Sequence, residues 1–358
     1  IHDENIPELA RHRTMGSIPY GGRYRLIDFA LSNFVNSGIT TVGVITKHNY
    51  QSLMDHLGSG KDWDLARKTG GLVLLPPFGA VNTEGLYRNR LEALKNITGF
   101  LNRRNEDYVV FSDCDGAFRM DLSDVIDFHE DKQADITLVC HEEVLLNASD
   151  FTLIKTDQSG RVTDINLKAK VGSSGKYFIN VTVINRQFLL TLINNAVERG
   201  YKSFREDILL RNIKSLKIYA YDFKGYHASI DSLSAYYKHN MELLNKKIRD
   251  ELFGARDIYT KVRDSAPSKY GTYSSVRNSL ISDGCIVEGT VENSILFRGV
   301  KIGKGAIVRN SIIMQDAVIG EKVVTDSIIT DKNVVIRDNR ILSGCDVQPY
   351  FIPKGTMI

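Results

Sequence analysis

A short repeat in the last quarter of the sequence limits the fold of this chain more than any other feature. Val276–Ser279, Val291–Ser294 and Val308–Ser311 share the pattern Val-x-Asn-Ser, and a degenerate copy follows at Val324–Ser327. The copies are about 15, 17 and 16 residues apart, with Ile, Val and small residues between them. Coils built from three units of roughly six residues are typical of a parallel β-helix. We therefore predict a β-helix domain over residues 271–358.

Some β-helices carry an acyltransferase site, which needs a histidine as general base. All eight histidines of this chain lie at or before His239, so the predicted β-helix contains none. We therefore interpret the β-helix as an assembly module and not as a catalytic domain.

The residues before the repeat alternate between strand and helix patterns, which favours an α/β domain with a mostly parallel, doubly wound sheet. Helical spacing predicts helices at about 50–57 and 88–102, and a long closing helix over 232–252. The predicted domains are an α/β domain over 1–253, a linker over 254–270 and the β-helix over 271–358. Apolar runs predict strands at 40–46, 72–75, 108–111, 136–144, 178–184 and 216–221.

Charge and cysteine usage narrow the class of protein. A net charge of +3 on 358 residues gives no general case for binding nucleic acid or a membrane surface. The four cysteines are widely spaced and form no paired metal motif, so we expect free thiols and a cytoplasmic protein. We find no membrane-spanning run and expect no signal peptide. Because the sequence starts at Ile1 and not at methionine, we expect a few further residues at the amino end.

Two carboxylates follow a predicted strand at 108–111. Asp113 and Asp115 fall at the carboxyl end of this strand, where ligands of open α/β sheets bind. Carboxylate oxygens there suit Mg²⁺ bridging to a phosphate. The alternative is that the segment from Asp113 to Gly116 only turns the chain.

Specific blocks of sequence identify a family. The segments 19–29 (PYGGRYRLIDF), 36–39 (NSGI) and 63–65 (WDL), together with the repeat, resemble the glucose-1-phosphate adenylyltransferases over nearly the whole chain. The resemblance implies a Rossmann-like nucleotidyltransferase sheet domain followed by a left-handed β-helix. It also implies a reaction of ATP with glucose 1-phosphate that yields ADP-glucose and pyrophosphate, with Mg²⁺, lysine and arginine neutralising the charge.

The nucleotide-binding parts of that family are altered in this chain. The family has a glycine-rich loop with an arginine and a lysine; here residues 1–12 contain no glycine, Arg13 matches the arginine, and Met15 stands at the lysine position. The family's Gly-Thr-Ala adenine loop matches Asn89-Arg90-Leu91. We therefore expect the phosphate cradle to be lost and the adenine pocket to be filled.

The metal and sugar ligands are also altered. Asp115 matches a family aspartate that holds Mg²⁺, but Gly116 replaces the histidine after it. A Glu-Lys pair that contacts the sugar and its phosphate matches Leu167-Lys168, so only the lysine remains, and Ser229 stands at the second metal aspartate. Arg13, Asp115 and Lys168 are thus remnants of a degenerate site, at which Mg²⁺ binding is doubtful.

These losses resemble the D-type regulatory subunit that Gram-positive bacteria make beside a catalytic subunit. We expect a weakly active or inactive subunit that modulates a catalytic homologue in glycogen biosynthesis, in a heterotetramer or a homotetramer. One alternative is an active enzyme in which Asp113 or Asp231 replaces the lost carboxylate. Another is a stand-alone sugar-phosphate sensor that keeps Lys168 and a set of arginines.

Those arginines lie on the helix predicted over 88–102 and just beyond it. They are either a solvated face or an anion site for a sugar-phosphate or phosphate effector, which arginine side chains suit. The four are Arg88, Arg90, Arg103 and Arg104.

Overall fold

The chain is described by a computed structural model that covers residues 3–77, 87, 89–144, 151–167, 169 and 174–358. Short 3₁₀ turns occur at Asp3–Asn5, Met15–Ser17 and Lys61–Trp63, and a π-helix spans Phe204–Leu210. The α-helices are α1 Pro7–Ala10, α2 Leu26–Asn36, α3 Gln51–Leu57, α4 Arg90–Asn96, α5 Thr98–Asn102, α6 Leu122–Asp131, α7 Arg186–Glu198, α8 Leu233–Glu242 and α9 Lys246–Phe253.

The first two thirds of the chain form an α/β domain. Its strands are β1 Pro19–Tyr20, β2 Tyr24–Arg25, β3 Thr41–Ile45, β4 Gly71–Leu75, β5 Tyr108–Ser112, β6 Gly116–Phe118, β7 Ile136–Val144, β8 Leu153–Thr156, β9 Val162–Asn166, β10 Ser174–Asn185, β11 Ile218–Phe223 and β12 His227–Ser229.

The main sheet of this domain is mixed: β5, β7 and β11 run in the same direction, as a mostly parallel sheet requires, but β10 runs against them. The long strand β10 runs antiparallel to β5, β7 and β8, whereas β11 is parallel to β7. On the side away from β7, its first half pairs with β8 and its second half with β5, and its register on β7 shifts at a bulge between Phe178 and Thr182. The direction of a strand depends on the route of the chain into it, which hydrophobic periodicity does not report.

Two predicted helices are interrupted. The helix predicted over 232–252 is divided into α8 and α9, since the Asn245 side chain accepts a hydrogen bond from the Lys247 backbone and begins a second helix. The helix predicted over 88–102 is divided into α4 and α5, and Arg88 lies outside the described residues. None of the described helices is long and apolar enough to cross a membrane. The four cysteines form no disulfide.

The last quarter of the chain is a left-handed β-helix with three parallel sheets of five strands each. Successive coils pair in register from the first coil to the fifth. Its strands are β13 Lys269–Tyr270, β14 Ser275–Arg277, β15 Leu280–Ile281, β16 Ile286–Val287, β17 Thr290–Glu292, β18 Ile295–Leu296, β19 Lys301–Ile302, β20 Ile307–Arg309, β21 Ile312–Ile313, β22 Val318–Ile319, β23 Val324–Asp326, β24 Ile328–Thr330, β25 Val335–Ile336, β26 Ile341–Ser343 and β27 Tyr350–Ile352.

The Asn-Ser pair of the repeat forms one corner of the coil. Asn278, Asn293 and Asn310 all have positive φ, a conformation that asparagine tolerates better than most residues. Each following serine accepts a hydrogen bond from the next coil, as when Ser294 Oγ accepts from the Ser311 backbone at 3.0 Å. The fourth copy is shifted by one residue from the predicted match, because Val308 pairs with Thr325 and not with Val324.

The α/β domain and the β-helix share one hydrophobic core. Ile6, Tyr20 and Phe29 of the first domain pack in the same buried cluster as Phe297 and Met314 of the β-helix. Helix α8 joins the two, since its buried tyrosines donate hydrogen bonds in both directions, to the backbone of β1 and to the backbone of the β-helix. A site at this junction is therefore built from both domains.

Candidate functional site

Asp115, the predicted metal ligand, lies in the turn between β5 and β6 and is held by a hydrogen-bond network. One carboxylate oxygen accepts a hydrogen bond from the Asn180 amide at 2.8 Å, and the Asn180 carbonyl oxygen accepts one from Arg205 at 2.8 Å. Asn180 reaches Asp115 from the bulge of β10, where its φ is 63°. Such strained conformations persist where the surrounding structure holds them in place.

Ser229, the predicted replacement of the second metal aspartate, lies on the strand that pairs with the residues just after Asp115. Strands β6 and β12 pair so that Ser229 lies opposite Gly116, and the Ile230 backbone donates to the Asp115 carbonyl oxygen at 2.8 Å. Asp231 follows and accepts a hydrogen bond from Ser232. Within the described ranges, no group of three His, Cys, Asp or Glu side chains is placed to hold a metal ion. A hydroxyl at 229 also brings no charge to a cation, so the residues present fit Mg²⁺ poorly.

His227 fills the space beside Gly116. Its Nδ1 lies 3.0 Å from the Tyr177 hydroxyl, and burial lowers the pKa of the imidazole to about 3, so it is neutral at physiological pH. A side chain at position 116 would start 3.0 Å from His227 Nε2 and 3.1 Å from the carbonyl oxygen of Ala228. His227 therefore occupies the space that a side chain at position 116 would enter. The sequence showed the glycine at 116 but not that His227 lies beside it.

Arg90 occupies the adenine-loop position and forms an ion pair with Asp113. Helix α4 begins here because the Asn89 side chain accepts a hydrogen bond from the Glu92 backbone at 3.0 Å. Both charged side chains of the pair are 16% exposed. Asp113, a candidate metal ligand, therefore already has a cation beside it.

The other predicted anion-site arginines have separate contacts. Arg103 donates to the Gly99 carbonyl oxygen at 2.9 Å, and the Arg104 guanidinium lies 4.6 Å from the centre of the Phe100 ring. Arg88 and Lys168 lie outside the described residues. An effector site at this helix stays a prediction. Arg90 would add little positive charge to such a site, because it already forms an ion pair with Asp113.

Arg13, which matches an arginine of the family's glycine-rich loop, forms an ion pair with the β-helix. Its guanidinium NH2 lies 2.8 Å from both carboxylate oxygens of Asp331 in the β-helix, and both side chains are almost fully buried. The second terminal nitrogen, NH1, is buried and has no hydrogen-bond partner in the described part of the chain. Arg13 therefore joins the two domains.

Further cations surround this ion pair, and no pattern in the sequence groups them. Arg25 donates to the backbone and hydroxyl oxygens of Ser52, and burial lowers its pKa to about 10. Burial, and then the charges of Arg25 and Arg13, lower the pKa of the Lys332 ammonium to about 7. Arg263 lies at the exposed rim and adds a further positive charge.

We call Arg13, Arg25, Arg263 and Lys332 the interdomain basic cluster. In the described ranges, no carboxylate lies within ion-pairing distance of the Lys332 ammonium. These cations are crowded and partly buried, and the carboxylates near them do not balance their charge. A bound anion would therefore stabilise them. Two members of this cluster had a sequence signal, since Arg25 belongs to the motif at 19–29 and Arg13 matches an arginine of the family's glycine-rich loop.

The sequence is similar to known proteins along its whole length. A nucleotidyl transferase profile matches residues 7–246, and a GlmU-like, C-terminal hexapeptide profile matches residues 265–348. The chain is 37% identical to the glycogen biosynthesis protein GlgD of Bacillus subtilis (strain 168), over 99% of this chain and 93% of that protein. It is 34% identical to a glucose-1-phosphate adenylyltransferase of Geobacillus stearothermophilus, over 82% of this chain and 77% of that protein. It is 35% identical to one of Thermosipho africanus, over 82% and 72%.

Proposed function

The chain belongs to the nucleotidyl transferase family, among the glucose-1-phosphate adenylyltransferases, and we propose that it is a regulatory subunit of that enzyme in glycogen biosynthesis. In this proposal it makes little or no ADP-glucose itself and modulates a catalytic homologue. The observation that carries it is that side chains of the chain itself occupy the degenerate site. Arg90 neutralises Asp113, and His227 fills the space beside Gly116.

Weak catalysis follows from the charges that the reaction needs. In phosphoryl-type transfer the protein contributes mainly positioning and charge neutralisation through Mg²⁺ and basic groups. Here the Asp115 carboxylate accepts a hydrogen bond from Asn180, and Ser229 stands at the position expected for the second carboxylate. Groups that act as a unit lose most of their effect when one is removed, so the combined changes support a site with little turnover.

An exposed end of the β-helix supports assembly with another subunit. The strands of the first coil, β13, β14 and β15, pair only with the second coil in the described part of the chain. This end carries exposed apolar side chains, with Tyr273 93% and Tyr270 52% exposed. Unpaired sheet edges and exposed aromatic residues are typical of protein interfaces. A homologous β-helix of the catalytic subunit matches such an edge in strand spacing and is the partner we propose.

The interdomain basic cluster supports a response to an anionic effector. Arg13 and Arg25 belong to the α/β domain, whereas Lys332 belongs to the β-helix. An anion bound among them would bind more tightly to one arrangement of the two domains than to another and so favour that arrangement. A ligand can change the activity of a partner subunit only through a difference of this kind in its affinity for the two arrangements. We propose a phosphate-bearing metabolite as the class of effector.

The test of the proposed function is an activity assay of this chain mixed with a catalytic subunit from the same organism. We expect the mixture to differ from the catalytic subunit alone in turnover, in substrate affinity or in effector response by at least about 5-fold, the usual lower range of allosteric coupling. Tyr273→Asp, which puts a charge on the exposed coil, is expected to weaken the effect, while Tyr219→Asp on the α/β domain is the control. An unchanged catalytic subunit, together with no co-elution of the two chains, would contradict the proposal.

Sulfate, which stays a dianion from pH 6 to 9, tests the basic cluster. We expect saturating sulfate at constant ionic strength to stabilise the chain by about 1–3 kcal/mol, measured by thermal unfolding. Its affinity should fall as the pH rises through about 7, where Lys332 loses its proton. Without sulfate, Lys332→Met should be more stable than the wild type below pH 7, because the unfolded state binds the lysine proton more tightly than the folded state.

The matched control is Lys301→Met, which removes an exposed lysine of the β-helix. We expect it to keep the sulfate effect, whereas Lys332→Met should lose most of it. An equal gain from sulfate in both variants would show that the ion acts on the whole surface and not on the cluster.

A further inference from the structure

One corner of the β-helix carries a polar side chain in each of four successive coils. The Asn333 backbone donates to the Gln315 carbonyl oxygen at 3.0 Å, so Gln315 and Lys332 take the same position in neighbouring coils. Strands of neighbouring coils lie about 4.8 Å apart, so these two side chains leave the corner next to each other. The four residues at this position are Asp283, Arg298, Gln315 and Lys332.

Two buried polar atoms near Lys332 have no hydrogen-bond partner in the described part of the chain. They are Nη1 of Arg13, which is a donor, and Oε1 of Gln315, which is an acceptor. Arg13 lies close to Lys332, because one oxygen of Asp331 accepts from the Arg13 guanidinium at 2.8 Å and from the Lys332 backbone at 2.7 Å. Buried polar atoms are costly when unpaired, and one group with both an acceptor and a donor would satisfy these two.

The side-chain amine of Lys332 loses its proton more readily than that of an ordinary lysine. Burial, followed by the charges of Arg25 and Arg13, lowers its pKa from 10.5 to about 7. At pH 7 the uncharged fraction of such an amine is roughly 10³-fold larger than that of an exposed lysine. The charged groups that act on it are Arg13, Arg25 and Arg263, with Asp331 as the opposing carboxylate. Positive groups predominate, so they oppose an ammonium and favour an anion at the same place.

We propose that Lys332 is a carbamylation site, at which CO₂ adds reversibly to the lysine amine. The uncharged Nζ attacks the carbon of CO₂ and forms an N–C bond, while the electron pair of one C=O bond moves to its oxygen. The nitrogen releases one proton to water, and the step needs no oxidant or further reactant. The proposal requires only this chain and CO₂, so it can hold or fail independently of the regulatory function.

The carbamate that forms would suit this corner better than a free sulfate ion. It carries one negative charge, two oxygen acceptors and one remaining N–H donor. Its oxygens would accept from Nη1 of Arg13, and hydrogen bonds of this charge-assisted kind are strong. Its N–H would donate to Oε1 of Gln315, which sulfate cannot do because it has no hydrogen. The reaction also gives the interdomain basic cluster an additional counter-charge in place of a cation.

Trapping of the carbamate tests the proposal on the whole chain. The protein is equilibrated with ¹³C-bicarbonate near pH 7, carbamates are converted to esters with triethyloxonium, and mass spectrometry of peptides locates them. We expect the adduct at Lys332 to exceed that at the exposed Lys301 by at least about 100-fold, because far more of the Lys332 amine is uncharged. Equal adducts at the two lysines would overturn the proposal.

A pair of glutamine variants tests the geometry of the corner. Gln315→Leu keeps the lysine and removes the acceptor, so we expect the Lys332 adduct to fall by about 5-fold or more. Gln348→Leu, which changes an exposed glutamine of the β-helix, is the control and should leave the adduct unchanged. An adduct at Lys332 that is the same in both variants would contradict the assigned site.

Lys332→Arg separates the covalent reaction from simple ion binding, since arginine keeps the positive charge and does not form a carbamate under these conditions. We expect bicarbonate at constant ionic strength to raise Tm of the wild type by at least about 2 °C and to leave Lys332→Arg unchanged. An equal rise in both proteins would show that bicarbonate acts only as an ion and would overturn the proposal.

Discussion

Replacing Arg13 by alanine is expected to lower the free energy of unfolding by about 3–5 kcal/mol, as measured by urea denaturation. The substitution leaves Asp331 as a buried carboxylate without its partner, and desolvation of an unpaired charge is costly. Relief of the repulsion between Arg13 and the neighbouring Lys332 offsets part of this loss. We therefore expect a value near the lower end of the range.

Asp331→Ala should cost at least as much, since it leaves Arg13 and Lys332 without that counter-charge. The double variant should be less destabilised than the sum of the two single variants, because both remove the same ion pair. Arg309→Ala is the control, since its pair with Glu292 is exposed and should contribute less than about 1 kcal/mol. Similar losses for Arg13→Ala and Arg309→Ala would contradict a buried bridge between the domains.

The purified chain alone is expected to make ADP-glucose at least about 10³-fold more slowly than a catalytic relative under the same conditions. Losing one of several catalytic groups that act together already costs orders of magnitude, and here Ser229 and Arg90 change the site in different ways. We expect Ser229→Asp alone to restore less than about 10-fold, because Arg90 and His227 remain in place. Radiolabelled glucose 1-phosphate gives the required sensitivity, and the Geobacillus stearothermophilus enzyme is a suitable standard.

Turnover by this chain at a rate near that of the standard would contradict the degenerate site. The alternative of an active enzyme with a displaced metal site would then apply, and Asp113→Asn and Asp231→Asn would show which carboxylate replaces the missing one. Turnover that disappears on further purification would instead indicate a contaminating catalytic subunit.

The β-helix was predictable because its determinants are local and repeat. The corner requires a residue that tolerates positive φ, followed by a hydroxyl that reaches the next coil. The Asn-Ser pair of the repeat supplies both. The one-residue error at Val324 arose where the pattern degenerates, since Ser327 takes the positive-φ position of the asparagines. Strand positions in the α/β domain were predictable for a similar reason, because burial leaves a continuous apolar run.

Strand direction and helix breaks were less predictable. The antiparallel course of β10 depends on pairing with β5 and β7, which are distant in sequence. The break before α9 occurs because Asn245 caps a new helix. One continuous helix through Asn245 would have the same hydrophobic spacing, so the spacing does not distinguish the two arrangements.

The sequence by itself determined the family and the two kinds of domain, because each is carried by residues that lie close together in the chain. The tertiary structure alone decided what the charged residues contact. Arg13 pairs with Asp331, which is 318 residues away, and His227 fills the space at Gly116. A charge gains or loses free energy through neighbours that only packing brings together, and no local pattern records those neighbours.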